Sequence, residues 1–323
     1  MPVALSDIYP EFTNMLIQSY FFKIYDMFVP DDWASFAQVI PSTKEAEVYP
    51  TLGVVPKMGE FRGERKFSGL GSKETFMVHN KMYDAGISFP LTVFADDQYG
   101  IVAQRLGDLA MEGKRFPTEL VYTVIHDGAT TLGFDGKYLF DDHKAKGSTT
   151  QSNTNATGTT LDVTALTAVI KKMRKFTDTQ GRPLGIVPDT LIVPPDLEVT
   201  AKQILHSTFF FSVGTNTSQN ATSGQGTSIG NLPTYNPIGG TDGILSKCIV
   251  NPYLTSTTEW YVACTTRMTK PVILQERQPV SLTVKMDPNT SDQVLKTNEG
   301  LASIIARWGA APGDWHTIFQ GST

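Results

Sequence analysis

Apolar positions along this chain change their period several times, and each change marks a new element. From Phe94 to Phe140 they recur at helical spacing. Val102, Leu106 and Leu109, widened by Ile101 and Ala110, predict a long helix with one narrow apolar stripe. Asp96 and Asp97 stand where a helix N-terminus favours negative charge. Pro117 suits the first turn of a second, shorter helix, whose apolar face is Leu120, Val121, Val124 and Ile125. His126-Asp127-Gly128 reads as its end, and Phe134-Asp135-Gly136 as a turn. A long helix with polar residues on its other sides is a beam, and what leans on it decides the function.

Ahead of the beam, Thr13 to Tyr25 predicts a short helix, broken by Pro30-Asp31-Asp32. The stretch is rich in aromatic residues, among them Phe12, Tyr20, Phe21, Phe22 and Tyr25, and the helix's apolar residues cover more than one face. A two-sided helix either packs in the core of its own subunit or touches two bodies. Period-two segments follow around Phe61–Phe67 and Thr75–Phe94, joined through Ser68-Gly69-Leu70-Gly71-Ser72. Phe76, Val78, Ile87, Phe89 and Leu91 alternate as half-buried strands do. The two segments predict a long hairpin ribbon, which alone in water is marginal. It lies either on its own domain or on a neighbouring copy.

After the beam, Leu161 to about Phe176 predicts a helix capped by Asp162 or Thr164. Thr190–Val193 reads as a buried strand, and Pro194-Pro195-Asp196 leads into a helix ending near His206. Residues 212–243, rich in Gly, Ser, Thr and Asn, read as a long loop or disordered tip. Cys248-Ile-Val and Trp260-Tyr-Val-Ala are strands again. The alternation over 160–265 predicts an α/β-type lobe. Four later segments read as antiparallel strands packed on the beam: 271–275, 280–285, 304–308 and 315–319.

Composition narrows the class. The chain has 323 residues, 40% hydrophobic and only 18% charged, with a net charge of −5. There is no global basic footprint for nucleic acid. Cys248 and Cys264 make neither a disulfide framework nor a zinc site, and suit a reducing compartment as small buried hydrophobes. The N-terminus lacks the charged and apolar regions of a signal peptide, and no apolar run reaches the ~18 residues of a membrane span.

Candidate chemistry is thin. Gly224-Gln-Gly226-Thr-Ser-Ile-Gly230 is not a dinucleotide fingerprint and follows no strand. Asp141-Asp142-His143 lacks the converging partners a metal needs. His79, His126, His143, His206 and His316 are scattered over different elements, and no nucleophile elbow or P-loop occurs. An isopeptide bond from Lys66 or Lys73 to Asn289 or Asn298 would need a catalytic Glu beside it. The expectation is therefore no catalytic, cofactor-binding or metal site.

The segments GEFRGERKFSGL, HNKMYDAGISFPLTVFADDQYG, RLGDLAMEGKRFPTELVYTVIHDG and FDGKYLFDDHKAKG resemble the Mu-type phage major head subunit, a branch of the Hong Kong 97-like coat proteins. LIVPPDLEVTAKQIL, NPYL, KPVILQER and ARWGAAPGDWHTIFQGS continue the resemblance in family order. It covers most of the chain from about residue 50 and departs over 207–247.

The resemblance implies an α+β, Hong Kong 97-like capsid fold. Its parts would be an N-terminal arm (1–50), an extended β-hairpin loop (51–92), a peripheral domain with the spine helix (93–159 and 266–323) and an axial domain (160–265). It implies a major capsid protein of a tailed bacteriophage, assembled in the bacterial cytoplasm into the virion. Its first partner is itself, in hexamers and pentamers enclosing dsDNA without sequence-specific binding. Portal, scaffold, protease and decoration proteins are further partners. The alternatives are an intracellular α+β enzyme with an unrecognised site, or a compartment or tail protein of the same fold. Candidate subunit-interface residues are Phe12, Phe21, Phe22, Arg62, Arg65, Lys66, Asp96, Asp97, Asp108 and Glu112. The basic ribbon residues would meet the acidic ones of a neighbour's beam.

Overall fold

The predicted beam is the helix Ile101–His126, unbroken at Pro117. It belongs to a computed structural model that describes residues 10–28, 32–50, 58, 60, 63, 75–95, 100–144, 150–155, 160–211, 233–239, 243–289 and 291–321. The strands in chain order are β1 (Ala37–Pro41), β2 (Ala46–Pro50), β3 (Thr75–His79), β4 (Lys81–Pro90), β5 (Asp142–Lys144), β6 (Thr150–Ser152), β7 (Thr190–Val193), β8 (Phe209–Phe211), β9 (Pro233–Tyr235), β10 (Lys247–Val250), β11 (Tyr261–Ala263), β12 (Val272–Lys285), β13 (Glu299–Pro312) and β14 (Ile318–Gln320). The chain forms two units, one of residues 1–139 and 272–313, the other of 140–271 and 314–323. Among the described residues no helix is long and apolar enough to cross a membrane.

The first unit is built on a four-stranded sheet in the order β1-β12-β13-β4. β1 runs parallel to β12, and the other pairs are antiparallel. The long helix lies on this sheet. Its buried residues, Leu106, Leu109, Ala110, Gly113, Pro117, Val121 and Val124, keep one seam in phase at steps of three and four. That phase explains the helix running through Pro117, where two helices are predicted from sequence. An interior proline costs about 3 kcal/mol, but each large apolar side chain on the continuous seam returns about 1.5–3 kcal/mol on burial. Gly113 lets helix and sheet approach closely. A Cβ there would lie 3.1 Å from Val280 Cγ1 and 3.2 Å from Ile304 Cδ1. The helix starts after Gly100, which is left-handed at φ 69° and makes no side-chain cap. Asp96 and Asp97 lie outside the described residues.

Three further expectations are corrected in this unit. Segments 271–275 and 280–285 are not two strands but one, β12, with register shifts between Glu276 and Ser281. Residues 81–90 are not a free ribbon arm. They are the edge strand β4, paired with β13 from Lys81–Trp308 to Pro90–Glu299. The strand β3 pairs with β2, which falls in the stretch read as arm. The first predicted ribbon strand, 61–67, lies outside the described residues apart from Gly63.

The second unit has a smaller sheet in the order β10-β7-β11-β14. Leu191, Ile192 and Val193 of β7 and all of β11 are fully buried, so these strands read as unbroken apolar runs rather than alternating ones. The helix Val163–Arg174 buries Leu166, Val169, Ile170 and Met173. Asp162 caps it, accepting from the Ala165 N–H at 2.6 Å, as the sequence predicts. The helix Glu198–His206 packs on β7 and β10.

Residues 315–319 are the main correction here. Predicted as a strand on the beam, they form a 3-10 turn and then β14, paired with β11 in the second unit. Asn153 fixes them there, donating to the carbonyls of Trp315 and Ile318 at 3.3 Å each. That contact lies within the second unit, to which 150–155 belong. His143 is buried in the same unit, its ring stacked 4.0 Å from Trp315.

Candidate interaction surfaces

The arm helix Pro10–Met27 has two faces with different fates. One lies on the long helix: Ile17 and Phe21 are buried, and Ile24 Cδ1 would be 3.1 Å from a Cβ at Gly107. Lys114 Nζ sits 4.4 Å from the Tyr25 ring centroid and the Arg115 guanidinium 5.2 Å from that of Phe28. Such cation–π contacts tie the helix to its own unit. Burial first, then Glu276 and Asp26, pushes the Tyr25 hydroxyl pKa up. The rest of the helix surface is open and mixed, with the polar Gln18, Ser19, Lys23 and Asp26 between exposed apolar side chains. Met15 is 63% exposed and Leu16 55%, with Tyr20, Phe22 and Met27 also exposed. The helix is only weakly amphipathic, because hydrophobic residues also point away from the core it serves.

A second open surface lies beside β4. This strand ends the sheet, so its outer backbone groups have no strand partner among the described residues. Between it and the long helix runs a cleft of about 310 Å³ lined by Met82, Tyr83, Phe116, Ile304 and the carboxylates Asp84 and Glu112. Met82 is 63% exposed, and the Tyr83 and Phe116 rings meet at 4.4 Å. The outer face of the long helix above it carries Arg105, Asp108, Glu112, Arg115 and Glu119, all exposed. Arg105 and Asp108 are 4.0 Å apart and well solvated, a pair worth ~0–1 kcal/mol.

The predicted interface residues divide accordingly. Asp108 and Glu112 share one exposed helix face, a turn apart. Phe22 is partly exposed on the arm helix. Phe21 is corrected: it is fully buried in its own unit and offers no surface. The side chain of Phe12, and Arg62, Arg65, Lys66, Asp96 and Asp97, lie outside the described residues. Sequence reading missed Met82 and the β4 edge, because a strand's place in a sheet is set by distant partners. Met15 and Leu16 carried the same signal as Phe22, an apolar residue off the buried stripe.

Among the described residues, no group of three His, Cys, Asp or Glu side chains is arranged to hold a metal ion. Cys264 is buried and Cys248 half-buried, its thiol pKa pushed up by burial. One half-buried charged contact is structural. Asp314 accepts from Thr269 Oγ1 at 2.9 Å and lies 2.6 Å from His316 Nδ1. Burial alone would raise this carboxyl, but the hydrogen bonds and charge of His316, with Thr269, outweigh it and hold the pKa below its ordinary 3.8.

Comparison with known proteins bears on these surfaces. The family described as Mu-like prophage major head subunit gpT matches residues 14–160, 154–223 and 237–323. It therefore reaches into the arm and into both ends of 207–247, where the sequence resemblance stops. The chain is similar to the Mu-like prophage FluMu major head subunit of Haemophilus influenzae, 28% identical over 144 residues, which is 43% of this chain and 46% of that protein. It is also similar to the major capsid protein of Escherichia phage Mu, 26% identical over 112 residues, 35% of this chain and 36% of that one. The chain thus spans less than half the length of either curated relative in alignment. Among solved structures, a chain of the procapsid of bacteriophage JBD30 is similar with a TM-score of 0.53 and 18% identity, covering 97% of this chain and 76% of that chain.

Proposed function

Since the chain belongs to the Mu-like prophage major head subunit family and has the Hong Kong 97-like coat fold, we propose that it is the major capsid protein of a tailed bacteriophage, a structural protein and not an enzyme. It assembles with copies of itself, as hexamers and pentamers, into the icosahedral head that encloses dsDNA. The observation that carries this reading is the family match along nearly the whole chain. The open surfaces support it. A shell subunit needs several separate contact patches, and the first unit offers exposed apolar side chains on the arm helix, a sheet edge and a cleft.

The first unit corresponds to a peripheral domain with the long helix as its spine, the second unit to an axial domain, and the segment after β2 to an extended loop. Arg62, Arg65 and Lys66 of that loop meet Asp108 and Glu112 on a neighbour's spine helix. Arg suits this role because its planar fork holds a carboxylate in two bonds. Portal, scaffold, protease and decoration proteins are the further partners, the last in keeping with a JBD30 capsid decorated with minor capsid protein trimers.

Electron microscopy of the chain expressed alone tests the reading. Shells, sheets or capsomers are expected. A monodisperse monomer at high concentration would overturn it.

A further inference from the structure

Within the second unit, one stretch stands apart from an otherwise acidic chain. Lys171, Lys172, Arg174 and Lys175 fall within five residues at the end of the helix Val163–Arg174, and all four are exposed. At 100° per residue they occupy the side opposite Leu166, Val169, Ile170 and Met173, which are buried. The fold therefore gathers four cations on one outer face. Positive charge near a helix C-terminus is favourable by itself, and Lys171, Lys172 and Arg174 stand in the last turn with Lys175 at the C-cap. What points to a ligand is that they have no carboxylate partner among the described residues.

The carboxylates nearest in sequence are already engaged. Asp162 accepts from the Ala165 N–H, and Asp178 takes the Arg182 side chain at 2.7 Å. Among the described residues none of the four cations is in an ion pair. Lys172 is held in place, donating to Asn155 Oδ1 at 2.7 Å with its ammonium 5.5 Å from the Phe319 ring centroid. An ammonium has three donors, so two remain for another acceptor. Uncompensated, partly pre-positioned cations on a rigid helix fit an anionic polymer. Phosphates along a duplex are spaced regularly, and contact with them needs no base readout.

We propose that Lys171, Lys172, Arg174 and Lys175 form a contact for the phosphate backbone of duplex DNA, which rests on the reading of this chain as a head protein. A few contacts per copy give weak, salt-sensitive, sequence-independent holding, spread over many copies. The rest of the chain is net acidic, which limits the grip.

Fluorescence anisotropy of a mixed-sequence duplex of about 30 base pairs with the full-length chain, across ~50–200 mM salt, measures this contact through the salt slope of affinity. The variant Lys171→Gln/Arg174→Gln/Lys175→Gln is expected to flatten that slope by about 0.9 per contact removed and to lower affinity about tenfold or more at the lowest salt. Lys171→Arg/Lys175→Arg keeps the wild-type slope. Lys175→Gln alone, just past the helix, reads a single contact should the triple variant fold poorly by circular dichroism. Unchanged slope and affinity in a folded variant overturn the proposal. So does loss of particles with DNA binding intact, which would assign the patch to an acidic surface of a protein partner. Electron microscopy of the wild-type chain separates this result from the head-protein reading, because absent particles count against that reading whatever the duplex does.

Discussion

The two sheets of this molecule solve opposite problems. In the second unit β7 and β11 bury every residue, and the apolar side chains left exposed, Val187, Val199, Phe209, Tyr235 and Met268, lie outside these two strands. In the first unit β13 alternates between buried and half-buried positions along 14 residues, and β4 is mostly open. Its helix covers one stretch of sheet and leaves a cleft, while the arm helix turns Met15 and Leu16 outward. The difference teaches where the chain keeps its stability and where it keeps its contacts. A closed core tolerates being alone. A unit with exposed apolar residues at a sheet edge is finished only by another molecule.

The sharpest way to break that comparison is to injure both units alike. Leu191→Ala in the second unit is expected to cost about 2–5 kcal/mol in folding, read by urea denaturation, because nothing collapses into the space. Met82→Ser, at the open cleft, is expected to stay within about 0.5 kcal/mol of wild type in folding while particle yield falls. Equal losses of folding stability would remove the distinction.

Acid sharpens it next. Asp314 has a pKa below its ordinary 3.8, so it contributes stability that is fully present above that value and is lost as pH falls through the lower folded value. Asp314→Asn should therefore destabilise the chain by about 1–3 kcal/mol at pH 7, with the gap to wild type closing as pH drops below 3.8. A gap unchanged down to acid unfolding would remove the carboxylate from the account. The same order of effect is expected inside the first unit from Gly300→Ala. Its Cβ would lie 2.6 Å from the Phe89 ring, and overpacking of that kind costs about 1–3 kcal/mol. A melt like the wild type's would show that β4 yields easily.

The smallest effects on folding are expected where assembly is at stake. Arg62→Glu and Arg65→Glu should leave circular dichroism unchanged, since exposed pairs are worth ~0–1 kcal/mol each. Particle yield should fall, and added salt should weaken wild-type assembly more than folding. Normal particles from both variants would leave these charges as solubility devices.

Much of this fold was legible in the sequence, because period carries it. The long helix, the capped helix after Asp162 and the buried strand Thr190–Val193 all follow from spacing and composition. The head-protein resemblance was legible as motifs in order. Three things were not, each for a physical reason. Pro117 reads locally as a helix start, yet the seam from Leu106 to Val124 overrides it. The sequence 315–319 alternates like a beam-side strand, but the side chain of Asn153, far away in sequence, draws it into the other unit. The surfaces were legible only in part. Charge marked Asp108 and Glu112, but Phe21 and Phe22 differ in fate by one helical step that composition does not resolve.

The central claim is that the first unit's exposed apolar surfaces are completed by other copies of the chain. Hydrogen exchange of the full-length chain, compared before and after assembly, tests it most directly. The account predicts strong new protection at residues 15–27 and 81–90 on assembly, with β7 and β11 already protected beforehand and unchanged. Assembly that left 15–27 and 81–90 exchanging as before, with new protection confined to the second unit, would contradict it.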